Sequence, residues 1–398
     1  MQKSSATNPN NLRLGNNNTE PKLKKIAIVF GTRPEAIKFA PVIRSLREIE
    51  GKGGVQLKVY STGQHREMLQ QVFNFFDFKP DFELNIMHPG QTLNSIAANV
   101  LARLEPALGA ENWDWVLVQG DTTTAAAAAW CASNLRCKVA HLEAGLRTGN
   151  RANPFPEESN RKIISALADM HFAPTENSCN ALLKEGIAES SIRVTGNTVI
   201  DALLWARDRV ASGTGVMLAQ ELRGLENEGR RIVLVTGHRR ESFGKGFDAI
   251  CMAIKLLAEK HPDVLFVYPV HLNPRVQESV FGVLSGKDNV RLIHPLDYPS
   301  FVWLLSRSHL VLTDSGGVQE EAPSFGKPVL IMRETTERPE GIEAGSARLV
   351  GVDTNKILSG VDSLLTDAVN YAEMACAKNP YGDGYATRRI VGALLQNG

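Results

Sequence analysis

The stretch LVLTDSGGVQEEAPSFGKPVLIM, residues 310–332, decides the fold. It opens on an apolar run, Leu310–Thr313, and turns at Asp314-Ser315-Gly316-Gly317. A helix follows through Gln319, Glu320 and Glu321, and a second apolar run, Val329–Met332, closes the unit. Unbroken apolar strands separated by a helix are the repeating unit of a parallel sheet covered on both faces. The glycines let a ligand approach the backbone, and free N–H groups of the first helical turn suit phosphate oxygens. Glu321 lies one turn on, placed to accept hydrogen bonds from vicinal hydroxyls such as those of a ribose. An ordinary capped helix would also fit these residues.

Outward from this unit the alternation repeats. Strands are expected at Ile26–Phe30, Gln56–Ser61, Trp115–Gln119, Lys138–Leu142, Met170–Ala173 and Ile192–Thr195. A polar, glycine-containing stretch from Ser212 to Arg230 follows. Strands resume at Ile232–Thr236, Val264–Tyr268, Val290–Ile293, Leu310–Thr313, Val329–Met332 and Ala347–Val350. The expectation is an α/β protein of two Rossmann-like, doubly wound domains facing a central cleft. The division is residues 1–24 as a disordered tail, 25–197 as the first domain and 198–385 as the second. The closing helix, 386–398, is expected to pack back on the first domain. A chain of 398 residues has the length for two such cores.

Composition narrows the function. With 43% hydrophobic and 22% charged residues the chain is an ordinary globular one, and a net charge of +1 gives no footprint for nucleic acid or an anionic membrane. No segment has the roughly 20 apolar residues of a membrane span, and the Asn-rich start is not a signal peptide. A cytoplasmic protein is expected. Cys131, Cys137, Cys179, Cys251 and Cys376 are scattered without metal-type spacing, and read as buried reduced thiols.

In open parallel sheets, ligands bind beyond the carboxyl ends of the strands. In the first domain those ends read Gly31-Thr32-Arg33, Gly63-Gln64-His65, Gly120-Asp121-Thr122 and Glu143-Ala144-Gly145. In the second they read Thr236-Gly237-His238-Arg239, Pro269-Val270-His271 and Asp314-Ser315-Gly316-Gly317. Gly31-Thr32-Arg33-Pro34-Glu35 is not G-x-G-x-x-G, so the dinucleotide fingerprint is missing where a nicotinamide enzyme carries it. Pro34 suits the first helical position. Arg33 can aim a guanidinium at a phosphate, with Lys38 one turn on. Asp121, Glu143 and Glu157 are three carboxylates expected on one rim with His238 opposite, a set for acid–base chemistry. Singly, each has a structural alternative: Asp121 as a helix cap, Glu157 as a dipole complement. Phe301, in LDYPSF (296–301), is a candidate to pack on a nucleobase, or a core residue.

Together these segments resemble the non-hydrolysing UDP-N-acetylglucosamine 2-epimerases, from Lys25 to about Leu395. The resemblance rests on GTRPEAIKFAP (31–41), GQHREML (63–69), GDTTT (120–124), HLEAGLRTGN (141–150), FPEESNR (155–161), TGHRRESFG (236–244), SGGVQEEAPSFGKP (315–328) and RETTERPEG (333–341). It implies a glycosyltransferase-B-like fold, a homodimer, a UDP-sugar substrate, no redox cofactor and no obligatory metal. It implies loss of UDP across carbons 1 and 2 to a 2-acetamidoglucal, re-addition, and supply of ManNAc units for cell-surface polysaccharide. Carried over by position, Asp121, Glu143 and Glu157 are the carboxylates, and His238 and Arg33 act on the phosphates. Lys38 and Arg161 join them at the substrate, while Ser315, Gly316, Gly317 and Glu321 hold diphosphate and ribose. Gln64, Arg239 and His271 match a second, activating UDP-GlcNAc site; for His271 the alternative is a turn-shaping role. The rival functions are a hydrolysing epimerase, a glycosyltransferase of the same fold and a UDP-sugar sensor.

Overall fold

A computed structural model describes residues 23–63, 66–88, 90–213, 215–225, 228–237 and 244–396. Two parallel sheets organise them. The first is built from β1 (Lys24–Phe30), β2 (Val55–Ser61), β3 (Phe82–Glu83), β4 (Trp115–Gln119), β5 (Val139–Leu142), β6 (Met170–Ala173) and β7 (Ile192–Val194), in the order β3-β2-β1-β4-β5-β6-β7. The second contains β8 (Arg231–Thr236), β9 (Val264–Pro269), β10 (Val290–Ile293), β11 (Leu310–Thr313), β12 (Val329–Ile331) and β13 (Ala347–Leu349), in the order β10-β9-β8-β11-β12-β13. Every expected strand is present within a residue or two. β3 is an addition: two residues with exposed side chains, paired to Tyr60 and Ser61 at the sheet edge.

Each sheet reverses its winding once, between β1 and β4 and between β8 and β11. At such a switch point the adjacent connections leave to opposite faces and open a crevice. The two crevices carry Gly31-Thr32-Arg33 beside Gly120-Asp121, and Gly237 beside Asp314-Ser315. The central strands are nearly wholly buried, Ile26 through Phe30 completely, because helices cover both faces.

The helix Thr123–Asn134, with its alanine run, packs between the helices Leu93–Leu108 and Glu157–Leu167 on one face of the first sheet. On the other face the helix Arg33–Glu50 meets the helix Thr198–Ser212, which also touches Tyr298–Arg307 and Gly316–Glu321 of the second domain. The closing helix, Ala386–Gln396, lies against Arg33–Glu50 and Thr198–Ser212, burying Ile390, Val391 and Leu394. Asp201 of the connecting helix accepts the backbone N–H groups of Ala386 and Thr387 at 3.2 and 2.8 Å, which caps that last helix.

Two expectations are corrected. The first helix starts at Arg33 with Thr32 as its cap, so Pro34 occupies the second helical position. Cys376 is exposed and Cys137 and Cys179 are half-buried; only Cys131 and Cys251 are buried, and all five are free. No described helix is long and apolar enough to cross a membrane.

Candidate active site

The first-domain wall begins at Gly31, where a Cβ would lie 2.4 Å from the Thr62 Oγ1 and 2.7 Å from that of Thr124. Only glycine lets β1 turn there into the helix. The buried Glu35 fixes the turn: its Oε2 accepts the N–H groups of Gly31 and Thr32 and the Thr32 hydroxyl, at 3.1, 2.7 and 2.8 Å. Its Oε1 accepts the Thr122 hydroxyl at 2.7 Å, joining this turn to the one after β4. Thr122, not Asp121, caps the helix Thr123–Asn134, through the Ala125 N–H at 3.0 Å.

Asp121 is thereby left for another task. Arg161 holds it with Nε at 2.9 Å and a terminal nitrogen at 2.7 Å, and the Asn160 amide donates to its carbonyl at 2.8 Å. Arg161 is anchored in turn by the buried Glu158 at 3.1 Å. Glu158 also accepts the N–H groups of Thr148 and Gly149, which shapes the loop before the helix Glu157–Leu167. Glu157, first residue of that helix, has a buried Oε2 with no hydrogen-bond partner.

Glu143 takes a left-handed backbone, φ +63°, at the end of β5. Its carboxylate meets Lys38 Nζ at 2.6 and 2.7 Å, the Gln119 amide, and the Asn197 amide at 3.1 Å. Burial pushes this carboxyl up, but Lys38 and Arg338 outweigh burial and hold it below its ordinary value. The neighbouring His141 is buried against the Gly120 carbonyl at 2.7 Å, and burial pushes its pKa down to about 3, so it is neutral.

The second-domain wall combines a glycine turn with buried charged side chains. Thr313 accepts the Ser315 N–H at 2.9 Å, and Gly316 and Gly317 open the following helix. A Cβ at Gly316 would lie 2.5 Å from the Arg338 guanidinium. Arg338 is buried and paired with Glu320 at 2.5 Å and Glu337 at 2.6 Å; Arg333 binds the other oxygen of Glu337 at 2.8 Å. Glu321 accepts the Tyr298 hydroxyl at 3.1 Å, and burial lifts its carboxyl to about 7. Burial lowers the Arg33 guanidinium, opposed by Glu321 and Asp297.

Between the walls lies a cavity of about 440 Å³. Arg33, Lys38, Asp121, Glu157, Arg161, Phe301, Ser315, Gly316, Gly317 and Glu321 all line it, as a shared ligand site requires. Glu143 does not; its carboxylate stands behind Lys38. His271 lies on an exposed loop after β9, its Nδ1 accepting the Asn273 N–H at 3.1 Å, and does not line the cavity. Gln64, His238 and Arg239 fall outside the described residues. Tyr298, Glu337 and Arg338 line the cavity without having been expected there. Arg338 stands in the quoted RETTERPEG, a motif with no role assigned; Tyr298 neighbours Phe301 in LDYPSF. Among the described residues no group of three or more His, Cys, Asp or Glu could hold a metal.

Known proteins share this frame. Residues 47–395 match the sequence model of a family described as UDP-N-acetylglucosamine 2-epimerase. The chain belongs to the UDP-N-acetylglucosamine 2-epimerase family. It is 53% identical to the UDP-N-acetylglucosamine 2-epimerase of Salmonella typhimurium strain LT2 over 372 residues, 93% of this chain and 98% of that one. The crystal structure of UDP-GlcNAc 2-epimerase from Neisseria meningitidis bound to UDP-GlcNAc superimposes with TM-score 0.87 at 46% identity, covering 94% of this chain and all of that one. The Methanocaldococcus jannaschii UDP-GlcNAc 2-epimerase in complex with UDP-GlcNAc and UDP gives TM-score 0.79 at 34% identity, with 94% and 100% covered. The two parallel-sheet domains of this epimerase-family chain are thus the glycosyltransferase-B-like arrangement.

Proposed function

We propose that the chain interconverts UDP-N-acetylglucosamine and UDP-N-acetylmannosamine by eliminating UDP and adding it back. The observation that carries this reading is the unpartnered, buried oxygen of Glu157 beside the ion-paired Asp121, across the cavity from Ser315, Gly316 and Glu321. One wall offers acid–base groups and the other a nucleotide cradle.

Carbon 2 of the sugar has no adjacent carbonyl, so its proton alone is too weakly acidic to remove. Elimination couples the two events. A carboxylate takes the carbon 2 proton, that electron pair becomes the carbon 1–carbon 2 double bond, and the carbon 1–oxygen bond breaks toward UDP. The diphosphate leaves with the charge of that bond, where Arg33 and the free N–H groups near Gly316 and Gly317 would receive it. UDP then re-adds to carbon 1 while a proton is delivered to the opposite face of carbon 2. Two carboxyl groups are wanted, one for each face. Asp121 and Glu157 are assigned to them, with Arg161 holding Asp121 and Lys38 beside the sugar. Glu321 is assigned to the ribose and Phe301 to the uracil. No net water is consumed, which separates this reading from a hydrolase. A cytoplasmic homodimer supplying ManNAc units for polysaccharide, with His271, Gln64 and Arg239 serving an activating second UDP-GlcNAc, completes the proposal.

Proton NMR of the purified chain with UDP-GlcNAc alone in deuterated water tests it. UDP-ManNAc carrying deuterium at carbon 2 is expected. Free ManNAc with UDP would indicate hydrolysis instead, and unlabelled product would overturn the elimination route.

A further inference from the structure

Lys38 presents an ammonium to the cavity on a flexible four-carbon stem, so its direction must be set by what binds it. Both oxygens of Glu143 do so. Glu143 reaches that position only through its left-handed backbone, which disfavours any residue with a Cβ and persists where the surroundings over-determine it. Gly145 shows how tight the surroundings are: a Cβ there would lie 2.2 Å from the Ser178 carbonyl oxygen.

Two amides hold the rest of Glu143: Gln119 on Oε2, from the same sheet, and Asn197 on Oε1. Asn197 is 3% exposed and caps the helix Thr198–Ser212, its Oδ1 accepting the Val199 N–H at 3.2 Å. A cap needs only that oxygen, and Asp or Ser would serve as well. Asn197 also donates one amide hydrogen to Glu143 at 3.1 Å and the other to Glu320 at 2.6 Å. Glu320 belongs to the second domain, and its other oxygen is held by Arg338. The backbone N–H of Asn197 is engaged as well, donating to the Tyr381 carbonyl at 2.7 Å. A flipped amide would present its oxygen to both carboxylates and lose the cap.

We propose that Asn197 is a positioning residue for the reaction: by bridging Glu143 of the first domain to Glu320 of the second, it fixes the carboxylate that aims Lys38 into the substrate cavity. The aim of Lys38 is thereby coupled to the second domain, where Glu320 completes the bridge. The inference rests on the epimerase reading for what Lys38 meets, and it adds a residue that lines no part of the cavity.

The experiment compares Asn197→Asp, Glu320→Gln and the two together, reading UDP-GlcNAc turnover by NMR, UDP affinity by calorimetry and thermal melting. Asn197→Asp keeps shape and cap but loses both donors. Its turnover is expected to fall roughly 10–100-fold, the scale of a displaced catalytic group, with KM within about threefold. Facing Glu143 are Lys38, Arg338, Glu320 and His141; with the Asn197 donor lost, the Glu143 carboxyl rises and the acidic limb of kcat moves to higher pH. The double variant restores the bridge to the second domain with reversed polarity and unchanged net charge: an amide at position 320 now donates to a carboxylate at position 197. Melting temperature should then match the unaltered chain and UDP affinity should hold while turnover stays low, because position 197 no longer donates to Glu143. Should Asn197→Asp not fold alone, the double variant carries the same comparison. Turnover of Asn197→Asp or of the double variant within about threefold of the unaltered chain would overturn the inference and leave Asn197 a helix cap. Failure of the epimerase reading would show separately, as no conversion by the unaltered chain.

Discussion

The two walls of the cleft come from similar sheets and are built in opposite ways. At the β1/β4 switch point the side chains are charged and heavily bonded: Lys38 to Glu143, Asp121 to Arg161, Arg161 to Glu158. At β8/β11 the turn offers glycine and backbone, with Glu321, Tyr298 and the Glu337–Arg338 pair lining the cavity beside it. Preorganised charge serves a reacting centre, because its orientation is set before the substrate arrives. Open backbone serves a diphosphate, which needs many donors at close range and little discrimination. Under the proposed function the same topology divides the labour, with chemistry on one side and grip on the other.

The largest test breaks that division at the first wall. Glu157→Gln should lower turnover about 10²–10⁴-fold, the usual contribution of an acid–base group. Because the Glu157 Oε2 has no partner to lose, stability should stay within about 0.5 kcal/mol and UDP affinity should hold. Asp121→Asn should lose turnover likewise but also cost on the order of 1–3 kcal/mol in denaturant melts, since Arg161 loses a counter-charge. Near-normal rates in both would make this wall structural.

At the second wall the next effect is one of pH. Burial lifts Glu321 from 4.5 to about 7, so the folded chain keeps a proton that the unfolded chain releases in that window. Stability should fall as pH rises through it and level off above. Glu321→Gln should abolish the slope and exceed the unaltered chain by about 3 kcal/mol on the alkaline side. Parallel denaturation profiles for the two chains would contradict this. Glu321→Ala should weaken UDP binding by about 1–3 kcal/mol in calorimetry, while Glu157→Gln should not. Smallest of all, Tyr298→Phe removes one hydrogen bond to Glu321 and should cost about 1 kcal/mol of UDP affinity; an unchanged value would detach Tyr298 from the nucleotide side.

The contrast also explains what could be read in advance. The strands were legible because parallel strands buried on both faces are apolar throughout, as in Ile26–Phe30 and Leu310–Thr313. Phe82–Glu83 was not, being a two-residue edge strand whose exposed side chains leave no pattern. The glycine turns and the carboxylates at strand ends announced both walls. Asn197, Glu320 and Arg338 did not announce themselves. Asn197 before a helix reads as a cap, Glu320 beside Glu321 as helix polarity, and Arg338 as one charge in a charged loop. Their significance lies in contacts between residues far apart in sequence, Asn197 and Glu320 being 123 positions apart, and local composition carries no trace of such pairings. Glu143 was legible as a carboxylate at a strand end, yet its place behind Lys38 depends on a left-handed residue that composition does not mark.

The closing helix has a mechanical consequence. Ala386–Gln396 rests on the helix Arg33–Glu50, so β1 and the last helix belong to one body, and the second domain is in effect spliced into its middle. A load applied between Lys24 and Gln396 would pass through the first domain alone. The second sheet would be shielded from tension until Ile390, Val391 and Leu394 were peeled out of their packing and the Asp201 cap gave way.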